Sequence, residues 1–181
     1  MGEVKCKMKD YASALQSFER SLKIRLKLHD ELDEDTATIY ENIGVVQENN
    51  GDYTSALQKH QRALDLRLKL HGEQHKNTAQ SFYDIAAAQF KLGSYTSALQ
   101  SYERSLDIRL KLHSEQHEDV AASYYRIGST QHEIGNFPSA LNSFQRAHDI
   151  ILKLYGEQHP KTISAYNKIQ NVQHKLSFYN S

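Results

Sequence analysis

Gly51 to Thr78 reads GDYTSALQKHQRALDLRLKLHGEQHKNT, and close copies of it return at a fixed spacing. Tyr11, Tyr53, Tyr95 and Phe137 stand 42 residues apart, as do Ala14, Ala56, Ala98 and Ala140, and Arg20, Arg62, Arg104 and Arg146. A constant period of this length marks a tandem array in which each unit covers an apolar face of its neighbour.

From Tyr53 the apolar or small side chains Ala56, Leu57, His60, Ala63, Leu64 and Leu68 fall three and four apart, the spacing of one helical face. Leu64 to Leu70 also alternates strictly, which by itself suits a half-buried strand. The run holds no β-branched residue and keeps the helical phase, so it reads as helix with leucines on two opposite sides. A helix apolar on two sides is sandwiched. After Leu70 and the turn His71–Gly72–Glu73–Gln74–His75, a second helical pattern runs through Thr78, Phe82, Ile85, Ala86 and Gln89 to Leu92. Each repeat is therefore a helical hairpin, and the expected fold is all-α.

Punctuation supports the hairpins. Asp10, Asp52, Ser94 and Asn136 recur where one helix type begins, each able to accept a hydrogen bond from a first-turn N–H. Gly51, Gly93 and Gly135 precede three of them, at positions suited to a left-handed helix end, with Lys9 as the exception. Asp33, His75, His117 and His159 form the corresponding cap column of the other helix type. Small residues at Gly44, Ala86 and Gly128 imply close helix contact, since each glycine costs about 1 kcal/mol of helix propensity. The period divides the chain into a partial repeat 1–32 (a helix stub plus a second-type helix), full repeats 33–74, 75–116 and 117–158, and a trailing first-type helix 159–181.

Gly44, Gly51–Asp52–Tyr53, Ala56 and Ala63–Leu64 resemble the tetratricopeptide repeat. The 42-residue length, with Arg62–Ala63–Leu64–Asp65–Leu66–Arg67 and Gly156–Glu157–Gln158–His159–Pro160–Lys161–Thr162, is similar to the kinesin light chain and nephrocystin-3 branch. The resemblance implies a right-handed αα superhelix, a solenoid of antiparallel hairpins whose first-type helices line a concave peptide-binding groove. Light chains carry paired asparagines there; the matching pairs here are Glu41–Asn42, Tyr83–Asp84, Tyr125–Arg126 and Asn167–Lys168.

Once the core stripe is assigned, the groove candidates are Glu41, Asn42, Val45 and Glu48, then Tyr83, Asp84, Phe90 and Lys91, then Tyr125, Arg126, Ser129 and His132, and last Asn167, Lys168, Asn171 and Lys175. Phe90 reads equally as groove or as core. Formal charge along the four faces, their flanking positions included, runs from −2 through zero to +2. A peptide partner with an acidic stretch and an aromatic or apolar anchor suits that surface.

With 22 basic and 22 acidic side chains, nothing draws the chain to nucleic acid or an anionic membrane. Cys6 is the lone cysteine, and no apolar run approaches a membrane span, so a reducing, cytoplasmic setting is expected. No phosphate loop or nucleophile elbow appears, so neither enzyme activity nor a cofactor is expected. The pairs His71/His75 and His113/His117 raise a metal-site alternative, but they flank a turn, and Tyr155 and Asp33 replace them elsewhere in the period. Self-association through uncapped ends is the other alternative. The basic column Arg25, Arg67 and Arg109 reads as cations favoured near helix C-termini, with Lys27, Lys69, Lys111 and Lys153 beside it.

Overall fold

The computed structural model describes residues 2–28 and 32–179, with side chains from 11 to 27 and from 32 to 177. The described residues form helices only: α1 (Gly2–Leu28), α2 (Glu34–Asn49), α3 (Tyr53–His71), α4 (Lys76–Lys91), α5 (Tyr95–Leu112), α6 (Glu118–Ile134), α7 (Phe137–Tyr155) and α8 (Pro160–Tyr179). The alternating leucines lie within α3, as the helical phase requires, with Leu64 and Leu66 both buried. The helices group into two units, Met1–Gly93 holding α1 to α4 and Ser94–Ser181 holding α5 to α8.

In the first unit α1 packs on α2, α2 on α3 and α3 on α4. Ala37, Tyr40, Ala63 and Leu66 form one core cluster, with Leu22 against it. α1 runs unbroken through Asp10, where the capping column places a helix start. Lys9 stands where Gly51, Gly93 and Gly135 take φ of 85°, 77° and 87°, and without a residue suited to that conformation nothing ends the helix. Gly44 gives way to the His60 ring, since a Cβ there would lie 2.5 Å from it.

In the second unit α5 packs on α6, α6 on α7 and α7 on α8. Its cluster is Ala140, Phe144, Ile169 and Val172, flanked by Tyr125, Phe137, Leu141 and Leu176. Gly128 is the counterpart of Gly44 and faces Phe144, 3.0 Å from where a Cβ would sit. Both glycines accept a helix-propensity penalty for close contact. Gly44→Ala is expected to cost about 1–3 kcal/mol, and more than Gly128→Ala, because the His60 ring is the nearer obstacle. Thermal melts of the two variants check the order; equal melting temperatures would contradict it.

Asp52 and Asn136 cap α3 and α7 by accepting the Ser55 and Ser139 N–H groups at 3.1 and 3.2 Å, but Ser94 makes no side-chain cap bond to α5. A serine hydroxyl is free to turn away. The other cap column holds throughout: Asp35, Asn77, Asp119 and Lys161 donate backbone N–H bonds to Asp33, His75, His117 and His159 at 3.1–3.2 Å. In the histidines the acceptor is Nδ1, which must be unprotonated. Burial, then His71, hold the His75 pKa below its ordinary value, in keeping with that role.

The arginine column departs most from expectation. Arg67 and Arg109 are only 3% and 5% exposed. Arg67 donates to Ser81 Oγ at 2.9 Å, Glu34 at 3.1 Å and Glu41 at 2.5 Å, while Arg109 donates to Ser123 Oγ at 2.8 Å and the Asp119 carbonyl at 3.0 Å. These are buried struts between consecutive helices. A free helix terminus would leave the guanidinium in water. Here the next helix closes over it, and five donors are satisfied best by a serine and a backbone carbonyl one turn apart. The lysines Lys27, Lys69, Lys111 and Lys153 stay exposed as expected.

Candidate functional site

The sequence-derived site residues divide between the units. In the first, α2 carries Glu41, Asn42, Val45 and Glu48, and α4 carries Tyr83, Asp84, Phe90 and Lys91. Val45 and Lys91 are exposed, while Asn42, Tyr83 and Phe90 are partly buried. The carboxylate of Glu41 is held by Arg67, so it is largely neutralised. Asp84 accepts from the Gln80 amide at 2.8 Å. Burial, opposed by His60 and reinforced by Glu41 and Glu48, pushes its pKa up to about 7. The expected charge of −2 on the α2 face is thus weakened by the Glu41–Arg67 pair, and the α4 face, counted as neutral, loses part of the Asp84 charge near neutral pH.

The native state of Asp84 binds its proton more tightly than the unfolded state, whose pKa is near 3.8, so ionising it costs stability above about pH 7. That cost fades as pH falls through 7 toward 4. Asp84→Asn is expected to raise the melting temperature by about 2 °C or more near pH 8, and the gain is expected to vanish near pH 4. A gain independent of pH would contradict the assignment.

In the second unit α6 supplies Tyr125, Arg126, Ser129 and His132, and α8 supplies Asn167, Lys168, Asn171 and Lys175. Six of these eight line one open cleft of about 760 Å³: Ser129, His132, Asn167, Lys168, Asn171 and Lys175. Its remaining lining is Glu133, Phe144, Pro160, Ile163, Ser164 and Val172. An apolar base therefore faces an amide and ammonium rim, the arrangement of a site that anchors one side chain and orients a polar chain around it. Arg126 is exposed beyond the lining. Tyr125 sets its ring edge against Phe144, 5.5 Å between centroids, and its hydroxyl 3.5 Å from Ser164 Oγ. It shores up the cleft as much as it faces solvent. The His132 ring stands edge-on to Phe137, and Lys175 Nζ lies 5.3 Å from the centroid of the same ring.

Ile163 is the large exposed hydrophobic among the apolar cleft-lining side chains that the sequence reading missed, with Phe144, Pro160 and Val172. It is 46% exposed in the first turns of α8, while Thr162, Ala165, Ile169 and Val172 face the core. Its signal was legible: an isoleucine out of phase with the buried stripe.

His113, His117 and Asp119 offer ligand atoms within 4.8 Å of one another. His117 Nδ1 is already engaged by the Asp119 N–H. The His113 and His117 rings stack at 3.9 Å and 11°, as His71 and His75 do at 4.1 Å and 23°. Tyr155 and His159 make the same stack at 4.5 Å and 19°. A tyrosine in the series shows that the shared property is a flat ring closing the turn.

A family model described as Tetratricopeptide repeat matches residues 35–111, 84–151 and 119–176. The chain belongs to the tetratricopeptide repeat family. Solved structures agree with that fold. A kinesin light chain-like protein of Podosopora anserina, with nearly identical TPR-like repeats, is 15% identical with a TM-score of 0.81, covering 94% of this chain and 81% of that one. BtubC (BKLC) of P. vanneervenii is 19% identical with a TM-score of 0.85, covering 97% and 70%. A Rap protein complexed with Competence and Sporulation Factor is 18% identical with a TM-score of 0.71, covering 99% of this tetratricopeptide chain and 48% of its own. None of the curated proteins searched matches the sequence. Among the described residues no helix of the tetratricopeptide array is long and apolar enough to cross a membrane.

Proposed function

We propose that the chain is a non-catalytic, cytoplasmic interaction module built as one array of repeats, and that it binds peptide segments of partner proteins along its first-type helices. The observation that carries this reading is the α6–α8 cleft, where Phe144, Val172 and Ile163 lie beside Asn167, Lys168, Asn171 and Lys175. Amides can bond to a peptide backbone, two ammonium groups favour an acidic stretch, and the apolar base takes an aromatic or aliphatic anchor. The Rap protein solved with Competence and Sporulation Factor supports the reading by likeness of fold.

Selection of a random displayed peptide library on the purified chain tests it. Recovered peptides should carry acidic residues next to an apolar one and compete for a single site. Peptides without that pattern, or selection of none, would overturn the reading. Exposed apolar side chains on the first and last helices of the chain, Ile24 and Leu26 in α1 and Tyr166 in α8, favour a second property, pairing of copies through these faces. Light scattering over a concentration series should then show mass rising with concentration.

A further inference from the structure

Positions 60, 102 and 144 are equivalent in the period, and each is about 1% exposed. Tyr102 and Phe144 fill their places as core rings, but His60 brings an imidazole whose two nitrogens have no hydrogen-bond partner. Glu48 Oε1 lies 3.6 Å from its Nε2, beyond hydrogen-bond reach, and it too is buried and unpartnered. Asp84 Oδ2 is a further buried oxygen without a partner.

The charges around this point do not balance. α2 contributes Glu41 and Glu48, α4 contributes Asp84, and α3 contributes His60 and Arg67. Arg67 is committed to Glu34 and Glu41, and the Gln80 amide bonds Asp84 at Oδ1 and leaves Oδ2 unserved. Buried carboxylate oxygens without donors are costly, and neither nitrogen of the His60 ring lies within hydrogen-bond reach of Glu48 Oε1 or Asp84 Oδ2. The equivalent positions of the second unit are reversed in character: His132 for Glu48, Lys168 for Asp84 and Phe144 for His60. The deficit thus belongs to the first unit and not to the repeat.

We propose that the α2–α4 face of the first unit binds a basic side chain of a partner polypeptide, its guanidinium or ammonium group seated between Glu48 and Asp84 above His60. Glu41 and Glu48, each about a quarter exposed, open this cluster to solvent. A guanidinium supplies several donors in one plane and can serve both carboxylates. Its charge would also hold Asp84 ionised at neutral pH, so that binding releases a proton. The polypeptide carrier rests on the peptide-module reading above; the cation site stands on the unpartnered atoms alone.

Nα-acetyl-arginine amide titrated into the isotope-labelled chain tests the proposal by NMR, with the isosteric but neutral Nα-acetyl-citrulline amide as comparison. The arginine probe is expected to shift the His60 ring and Asp84 carboxyl signals saturably and to lower the Asp84 titration midpoint from about 7 to below about 6. Nα-acetyl-lysine amide should act in the same way. Glu48→Gln should weaken the response about ten-fold, and Asp84→Asn, which mimics the protonated acid and so keeps the fold, should abolish it. No shift with the cationic probes, an equal shift with citrulline, or an undiminished response in Glu48→Gln would each overturn it. The Asn167 and Asn171 amide signals report separately on the second unit's cleft, so failure here is distinct from failure of the peptide selection.

Discussion

Arg109→Ala is expected to destabilise the second unit by about 3 kcal/mol or more. The change removes a side chain buried to 5% exposure and takes one hydrogen bond each from Ser123 Oγ and the Asp119 carbonyl, leaving them the bond that the Ser123 hydroxyl donates to that carbonyl. Lost packing and the lost buried hydrogen bonds of a charged donor each cost about 1–3 kcal/mol or more. The chain itself points to the remedy. One period further on, Ile151 and Ala165 replace the arginine and its serine together, at 7% and 0% exposure. The double change Arg109→Ile with Ser123→Ala should therefore fall within about 1.5 kcal/mol of the parent, since an apolar pair of fitting volume removes both polar partners at once. Urea denaturation of the parent, single and double variants checks this. A double variant no more stable than Arg109→Ala would show that the strut holds something other than this pair.

The second large effect concerns binding. Ile163→Asp should reduce affinity for a selected peptide about thirty-fold or more, as loss of a central anchor typically costs 2 kcal/mol or more. The residue is nearly half exposed, so the fold should survive. Lys168→Glu with Lys175→Glu should weaken binding about ten-fold, with the loss shrinking as salt rises, because rim charges act through a screened field. Lys69→Glu, on the exposed face of α3, should do neither. Fluorescence anisotropy with a labelled selected peptide measures all three. If Lys69→Glu removed binding while Ile163→Asp left it intact, the site would lie on the second-type helices. Tyr125→Ala is the poorer test, because Tyr125 also packs on Phe144 and its truncation would loosen the core.

The helices were legible in the sequence because their determinants are local. The three-and-four spacing places each apolar stripe, Gly51, Gly93 and Gly135 end helices by taking positive φ, and Asp33, His75, His117 and His159 start them by accepting an N–H two residues on. The period of 42 did the rest, since it shows that one hairpin repeats. Six cleft residues were also found, by removing the core stripe from each first-type helix.

What the period could not reveal depends on which group approaches across space. Arg67 and Arg109 look like solvated cations on a one-dimensional pattern and are buried because the following helix closes over them. Glu41 counts as a free charge until Arg67 reaches it, and Asp84 counts as ionised until burial raises its pKa. His60 fits an apolar face in the sequence, but only packing shows that no donor or acceptor comes within hydrogen-bond reach of its ring. Backbone conformation and helical phase are set within a few residues along the chain. Burial, ion pairing and protonation are set by neighbours from other helices, so the sequence alone determined the repeated hairpins, and the tertiary structure decided which of their polar side chains carry a usable charge.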